Sequence, residues 1–240
     1  AKSPDLPGGI LALDADLRVA GNQIPLHDLD TLLPRTSGHV VGRWQFTSLR
    51  WVGRLFANAD MLTLDGAGSV DIDARIQDGK VAAGSRIAIP EVAASIVVMG
   101  NRFQGAARAE GRIDAAANGR VSPKLDLVME KFVVSAEKAG ASPYIEGQDL
   151  RLDVETLRGV TTGQIGSGES LAQAKESFKA HLTFNDARVP DLRAYNQFLP
   201  STHLRFDGGS GRIGGDLTLD AQGDIGQGWL RVNARAAKLH

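Results

Sequence analysis

Two pairs of carboxylates, Asp14/Asp16 and Asp71/Asp73, are the first residues in this chain whose types could do chemistry. Closely spaced carboxylates can hold a cation or divide acid and base roles between them. Their spacing points elsewhere. Each pair stands at i and i+2 inside an alternating stretch: Leu11, Leu13, Ala15, Leu17 and Val19 in one, Val70, Ile72, Ala74 and Ile76 in the other. On a strand such a pair shares the polar face, beside Arg18 or Arg75, which is the pattern of a solvated surface. No calcium-binding loop follows either pair.

The remaining reactive types are scattered. Five histidines occur, at positions 27, 39, 181, 203 and 240, and no two have the i,i+4 spacing of a helical zinc site. His27 beside Asp28 reads as a surface pair. Ser167 and Ser210 lie in glycine-containing loops without the strand-to-helix elbow a serine nucleophile requires. The absence of cysteine removes disulfides, zinc–thiolate sites and thiol nucleophiles. The sequence therefore predicts a non-enzymatic protein with no metal site and no cofactor.

Gly208 to Ala234, "GGSGRIGGDLTLDAQGDIGQGWLRVNA", is the glycine-rich stretch that could cradle a phosphate. A phosphate loop needs a helix N-terminus aiming N–H groups at the anion, and usually a lysine. Here Leu217 and Leu219 continue an alternating strand and "GWLRVNA" opens another, so the glycines read as bends and close backbone approaches.

The elements that must position these residues are strands. Alternation recurs along the chain, as in Leu150, Leu152 and Val154 or Phe178, Ala180, Leu182 and Phe184. Turn signals stand between such stretches at Asp65-Gly66, Asp78-Gly79, Gly100-Asn101, Asn118-Gly119 and Asp207-Gly208. Long helices for βαβ winding are absent. The predicted class is mainly β: an extended, curved antiparallel sheet, as an open groove or a flattened sandwich, with a few short helices. The helical candidates are Ile24 to Pro34 ("IPLHDLDTLLP"), Ser48 to Ala57, and Val189 to Pro200 ("VPDLRAYNQFLP").

The paired "(I/V)P…LP" segments suggest an internal repeat. "GAGSVDIDARI" (Gly66 to Ile76) also overlays "GSGRIGGDLTL" (Gly209 to Leu219), matching Val70 with Ile213 and Ile76 with Leu219. The 240 residues read as one elongated segment, divisible into related β units at about 8–160 and 177–240 joined by a flexible polar loop at 161–176. "AKSPDLPGG" at one end and "ARAAKLH" at the other suggest a piece of a larger protein.

Composition bounds the partners. Hydrophobic residues make up 42% and charged residues 23%, as in a folded chain. The formal charge of −1, with both signs interleaved, does not indicate nucleic acid. The longest apolar run, Val92 to Met99, is far short of the roughly 20 residues of a membrane helix, so no transmembrane segment is expected here.

The short "IP…DL…LLP" segment, the pattern "LTLDGAGSVDIDARIQDGKVAAGSRIAI" and the recurrence at "VPDLRAYNQFLP…GGSGRIGGDLTLDAQGD" resemble AsmA-like and TamB-like proteins of the Gram-negative envelope. The resemblance rests on repeat texture over most of the chain, not on an invariant motif. It implies a periplasmic protein whose full length is anchored in the inner membrane. Repeating β-sheet would form a lengthwise groove with an apolar interior, associated with guiding phospholipids toward the outer membrane or with outer-membrane assembly. It carries no catalytic residues.

Composition alone reads the apolar face as an ordinary core; the alternative is a curved sheet whose apolar side is partly open and takes acyl chains. On the second reading the groove-lining candidates are Leu11, Leu13, Leu17, Val70, Ile72, Ile76, Leu150, Leu152, Leu182, Phe184, Ile213, Leu217 and Leu219. The partner would be a phospholipid or another acyl-chain lipid. On the first, the chain is a structural or interaction module binding other envelope proteins by its sheet edges.

Overall fold

The structure, a computed structural model, describes residues 7–21, 29–52, 61–138, 143–156, 178–198, 205–220 and 224–239. Among the described residues the alternating stretches become twelve strands of a single antiparallel sheet. They are β1 (Pro7–Val19), β2 (Thr36–Phe46), β3 (Leu62–Asp65), β4 (Gly68–Gln77), β5 (Lys80–Val81) and β6 (Ser85–Val98), followed by β7 (Asn101–Ala115), β8 (Val121–Ala136), β9 (Ile145–Thr156), β10 (Phe178–Val189), β11 (Phe206–Leu219) and β12 (Ile225–Leu239). The order across the sheet is β1-β2-β4-β6-β7-β8-β9-β10-β11-β12, with β3 on β6 and β5 on β4. β9 pairs with β10 from Thr156 opposite Phe178, so the sheet runs without a break through both proposed β units.

Hairpin turns fall where left-handed residues allow them. Asp78-Gly79 joins β4 to β5 with φ of 51° and 72°, and Met99-Gly100 joins β6 to β7 with 49° and 69°. Such pairs of positive φ match the twist of the strands they connect. Asn118-Gly119 does the same between β7 and β8. One turn signal misleads: Asp207-Gly208 lies inside β11, at a register shift against β12, because glycine here accommodates an irregular pairing and not a reversal.

The helical segments are as short as expected. Leu29–Leu32 (α1) runs into a 3-10 turn at Leu33–Arg35, and another 3-10 segment spans Leu192–Phe198. Of the Ser48 to Ala57 candidate, residues 50–52 are helical and 53–57 lie outside the described residues, as do 24–28 and the loop at 161–176. Each "(I/V)P…LP" segment stands between two strands that pair with each other, but the first is followed by β2 and β3 before its glycine-opened strand β4, and the second leads directly into β11. One links β1 to β2 and the other β10 to β11, each pair being adjacent and antiparallel. Of the residues matched between β4 and β11, Val70 and Ile213 are both buried, whereas Ile76 is half-buried and its counterpart Leu219 is buried.

A line of irregularities crosses the middle of the sheet. On β6, Pro90 and Glu91 oppose the single Arg108; on β8, residues 130–132 oppose Gly105 and Ala106 of β7. Asp149 of β9 and Asp186 of β10 have φ of 54° and 56° at shifts in the β9–β10 and β10–β11 registers. Bulges bend and twist the strand that carries them, and adjacent bulges on successive strands crease the whole sheet. The rings confirm the concavity. Phe103 on β7 and Phe184 on β10 have centroids 5.7 Å apart, and Phe132 on β8 touches both. On a flat sheet three strand spacings amount to about 14 Å.

One apolar cluster fills the concave side, from Phe46 and Leu49 at one end to Leu217 and Leu219 at the other. Its centre is a leucine row in direct register: Leu127, Leu152, Leu182 and Leu217 on β8 to β11.

Candidate functional site

The concave face carries most of the residues proposed to line a groove, and the structure divides them into two environments. Val70, Leu150, Leu152 and Leu182 are completely buried, and Phe184, Ile213, Leu217 and Leu219 nearly so. Their side chains are in contact with protein. Toward β1 the cover thins. Ile72 and Ile76 are half-buried, while Leu13 and Leu17 are 52% and 47% exposed. Leu11 lies on β1, with its side chain outside the described residues.

Register shows that Leu13 and Leu17 belong to the same face as the core. They stand opposite Gly42 and Gly38 of β2, which stand opposite Ile72 and Ile76 of β4. The glycines are required there: a Cβ on Gly38, whose φ is 155°, would overlap the backbone of Asp16, and one on Gly42 the backbone of Ala12. β1 therefore lies close against β2, and an apolar shelf leads from the buried centre to an uncovered edge.

The opposite edge has the same character, which the sequence reading missed. On β12, Leu230 and Val232 face the concave side opposite Gly215 and Ile213, and they are 52% and 44% exposed. The signal for it lies in the alternation of "GWLRVNARAAKL".

The convex face is charged and paired across strands. His39 bonds Asp73 at 2.6 Å, Arg43 forks onto Asp71, Arg86 holds Glu110 at 2.6 Å, and Arg112 holds Asp126 at 2.9 Å. Lys124 reaches Asp114 at 2.9 Å, His181 bonds Asp216 at 2.7 Å, and Arg212 meets Asp186. Hydrogen bonds from Arg43 and Arg86 hold the Asp71 and Glu110 carboxyls below the usual carboxylate range. The carboxylate pair Asp71/Asp73 is thus a solvated face, as its spacing implied, although its partners come from β2 and not from Arg75. His27 and Asp28 lie outside the described residues.

Asp126 and Asp153 are the least ordinary acids on this face. They stand directly opposite each other on β8 and β9, beside a hollow of about 510 Å³ that His181 and Lys179 also line. Partial burial, reinforced by the hydrogen bond and charge of Asp126, pushes the Asp153 carboxyl up, while His181 and Arg151 oppose the shift. No group of three or more metal-binding side chains stands together among the described residues, so the pair has no built ligand set around it.

Compared with known proteins, the chain matches no family model, no curated protein and no solved structure. Its class is therefore defined by the fold alone: a mainly β, creased antiparallel sheet with an apolar concave face and a charged convex one. No helix among the described residues is long and apolar enough to cross a membrane.

Proposed function

We propose that this chain is a non-catalytic groove segment that holds lipid acyl chains against its concave face, as the resemblance to AsmA-like and TamB-like proteins implies. Its place would be the periplasm of a Gram-negative bacterium, in phospholipid movement toward the outer membrane or its maintenance. The observation that supports it is the uncovered apolar shelf of Leu13 and Leu17 beside Ile72 and Ile76, continuous with the core. Each methylene leaving water for such a surface gains about 0.8 kcal/mol, so an acyl chain lying there needs no fixed polar contact.

The test is site-specific. Photo-crosslinking residues at Leu13 and Leu17 should capture phospholipid in cells, and native mass spectrometry of the purified chain should show co-purifying lipid. A crosslinker at Asp14, which faces the other side, should not. Equal labelling at Asp14, or none at either leucine, would sink the proposal.

A second reading has its own support. The complete burial of Leu150, Leu152 and Leu182 describes a packed core in the middle of the sheet, as in a structural or interaction module of the envelope. On that reading the purified chain is lipid-free and the exposed leucines are contact points for protein.

A further inference from the structure

The overlay of Gly66 to Ile76 on Gly209 to Leu219 extends upstream, through the strand and turn that precede each stretch. β2 ends with Phe46 opposite Gly68 of β4, and β10 ends with Val189 opposite Gly211 of β11. Phe46 and Val189 are 143 residues apart, as are the two glycines. On the convex face His39 bonds Asp73 at 2.6 Å and His181 bonds Asp216 at 2.7 Å. Each histidine stands opposite the residue two places beyond its aspartate. The histidines are 142 residues apart because β10 carries one extra residue at its shift between Phe184 and Ala187.

The same offset relates the turns between these strands. Ser48 accepts the Arg50 N–H at 3.4 Å, and Asp191 accepts the Arg193 N–H at 2.9 Å, each capping a short helical turn. The residue between is a leucine in both, Leu49 and Leu192, and both are completely buried in the concave cluster. Each lies over the glycine of the returning strand. A Cβ on Gly68 would stand 2.9 Å from Leu49 Cδ1, and one on Gly211 would stand 3.4 Å from Leu192 Cδ2. A backbone carbonyl of the next strand in the sheet closes the other side, Glu91 at 3.4 Å from the first Cβ position and Asn233 at 3.0 Å from the second. The glycine is a socket and the leucine fills it.

Both turns cap the same end of the concave face. Neighbouring strands from β2 to β10 are antiparallel and six steps separate the two, so β2 and β10 run the same way. Apart from the leucine, the first turn is tied down by Leu49 N–H donating to Gly66 at 3.0 Å and by Arg50 forking onto Asp65 at 3.0 and 3.1 Å. In the second, the Asn196 amide exchanges hydrogen bonds with the peptide groups of Phe206. The strands beneath are laddered over most of their length. Local opening draws on segments held as lightly as these turns.

We infer that the chain carries one latch twice, each an alkyl-binding socket occupied by the chain's own leucine. Unseating Leu49 or Leu192 frees a recess floored by glycine and walled by apolar residues, Phe46 and Val70 in the first, Val189 and Ile213 in the second. The competing occupant is the end of an uncharged alkyl chain, because that is the chemistry the leucine itself supplies. The latches lie apart from the shelf of Leu13 and Leu17 and need neither outer edge of the sheet to be free. The inference stands whether or not the shelf takes lipid.

The test uses the full chain and the apolar fluorescent probe N-phenyl-1-naphthylamine. Leu49→Ala and Leu192→Ala should each tighten probe binding by about tenfold, since a socket no longer self-occupied need not open first. Circular dichroism checks that the sheet is retained. Leu152→Ala, equally buried but away from the turns, controls for general loosening and should leave probe binding unchanged. Gly68→Ala alone should also increase binding, because its methyl displaces Leu49. Combined with Leu49→Ala, the same methyl refills the socket and should return binding to the unaltered level. No gain from either leucine variant, an equal gain from Leu152→Ala, or failure of Gly68→Ala to reverse the effect of Leu49→Ala would overturn the inference. Phospholipid captured at Leu13 without any gain in probe binding here would overturn the latches and leave the shelf standing.

Discussion

Truncating Leu152 to alanine separates a packed centre from an open channel. Leu152 is completely buried, flanked in register by Leu127 on one side and Leu182 on the other. Removing a leucine side chain from such a site forfeits its transfer free energy and leaves a cavity that rigid strands cannot close, about 3 kcal/mol in all. Leu17 faces the same side of the sheet but is 47% exposed. With about half of its surface still in water and no enclosed cavity to leave, Leu17→Ala should cost about 0.5–1 kcal/mol. Urea unfolding followed by circular dichroism gives both values, provided the slope of the transition is unchanged between variants. If the two substitutions fall within about 1 kcal/mol of each other, the centre of the concave face is not packed as described. Its leucines would then be lining solvent or a displaceable ligand.

Two further substitutions test particular contacts. Asp153→Asn should stabilise the fold at neutral pH by roughly 0.5 kcal/mol, the size of a like-charge pair directly across two strands. Because the folded carboxyl is raised above its unfolded value, its ionised form opposes folding near neutrality. That penalty disappears as pH falls through the raised value, so the advantage of the variant should shrink on acidification. Stability curves that stay parallel from neutral to acid pH would contradict the assignment. Gly147→Ala should cost about 1–3 kcal/mol, since a Cβ there would collide with the Phe132 ring and crowd the Ala187 methyl. Phe132 packs against Phe103 and Phe184, so thermal melting should show the loss. A neutral result would mean the ring has room to turn aside.

The fold was legible where the signal is local. Alternation at Leu11 to Val19 and Val70 to Ile76 located β1 and β4, and Asp78-Gly79 and Asn118-Gly119 located turns, because period and positive φ are properties of a few consecutive residues. What escaped is set by register. Asp71 and Asp73 look alike in sequence to Asp14 and Asp16, yet among the described residues only Asp71 and Asp73 have side-chain partners, Arg43 and His39. The candidate site shows the same limit. Alternation put Leu17 and Leu152 on one face without distinguishing the edge of the sheet from its centre. That difference is the one between an exposed shelf and a dry core.

The crease explains why the two ends differ from the middle. Bulges at Pro90 and Glu91, at residues 130–132 and at Asn185 and Asp186 lie on strands that have neighbours on both sides, and there the concave face is covered. A terminal strand has a neighbour on one side only. Among the described residues, Leu13 and Leu17, like Leu230 and Val232, therefore have no further strand beside them whose side chains would flank them. Their exposure follows from the end of the sheet and not from a change in residue type. Whatever covers them must supply an apolar surface on the concave side. A lipid can do that without satisfying the backbone of β1. Another strand does both. Saturating the chain with phospholipid should therefore protect Leu13 from crosslinking to water-soluble probes while leaving the β1 amides open to hydrogen exchange. Pairing with another strand should protect the amides as well.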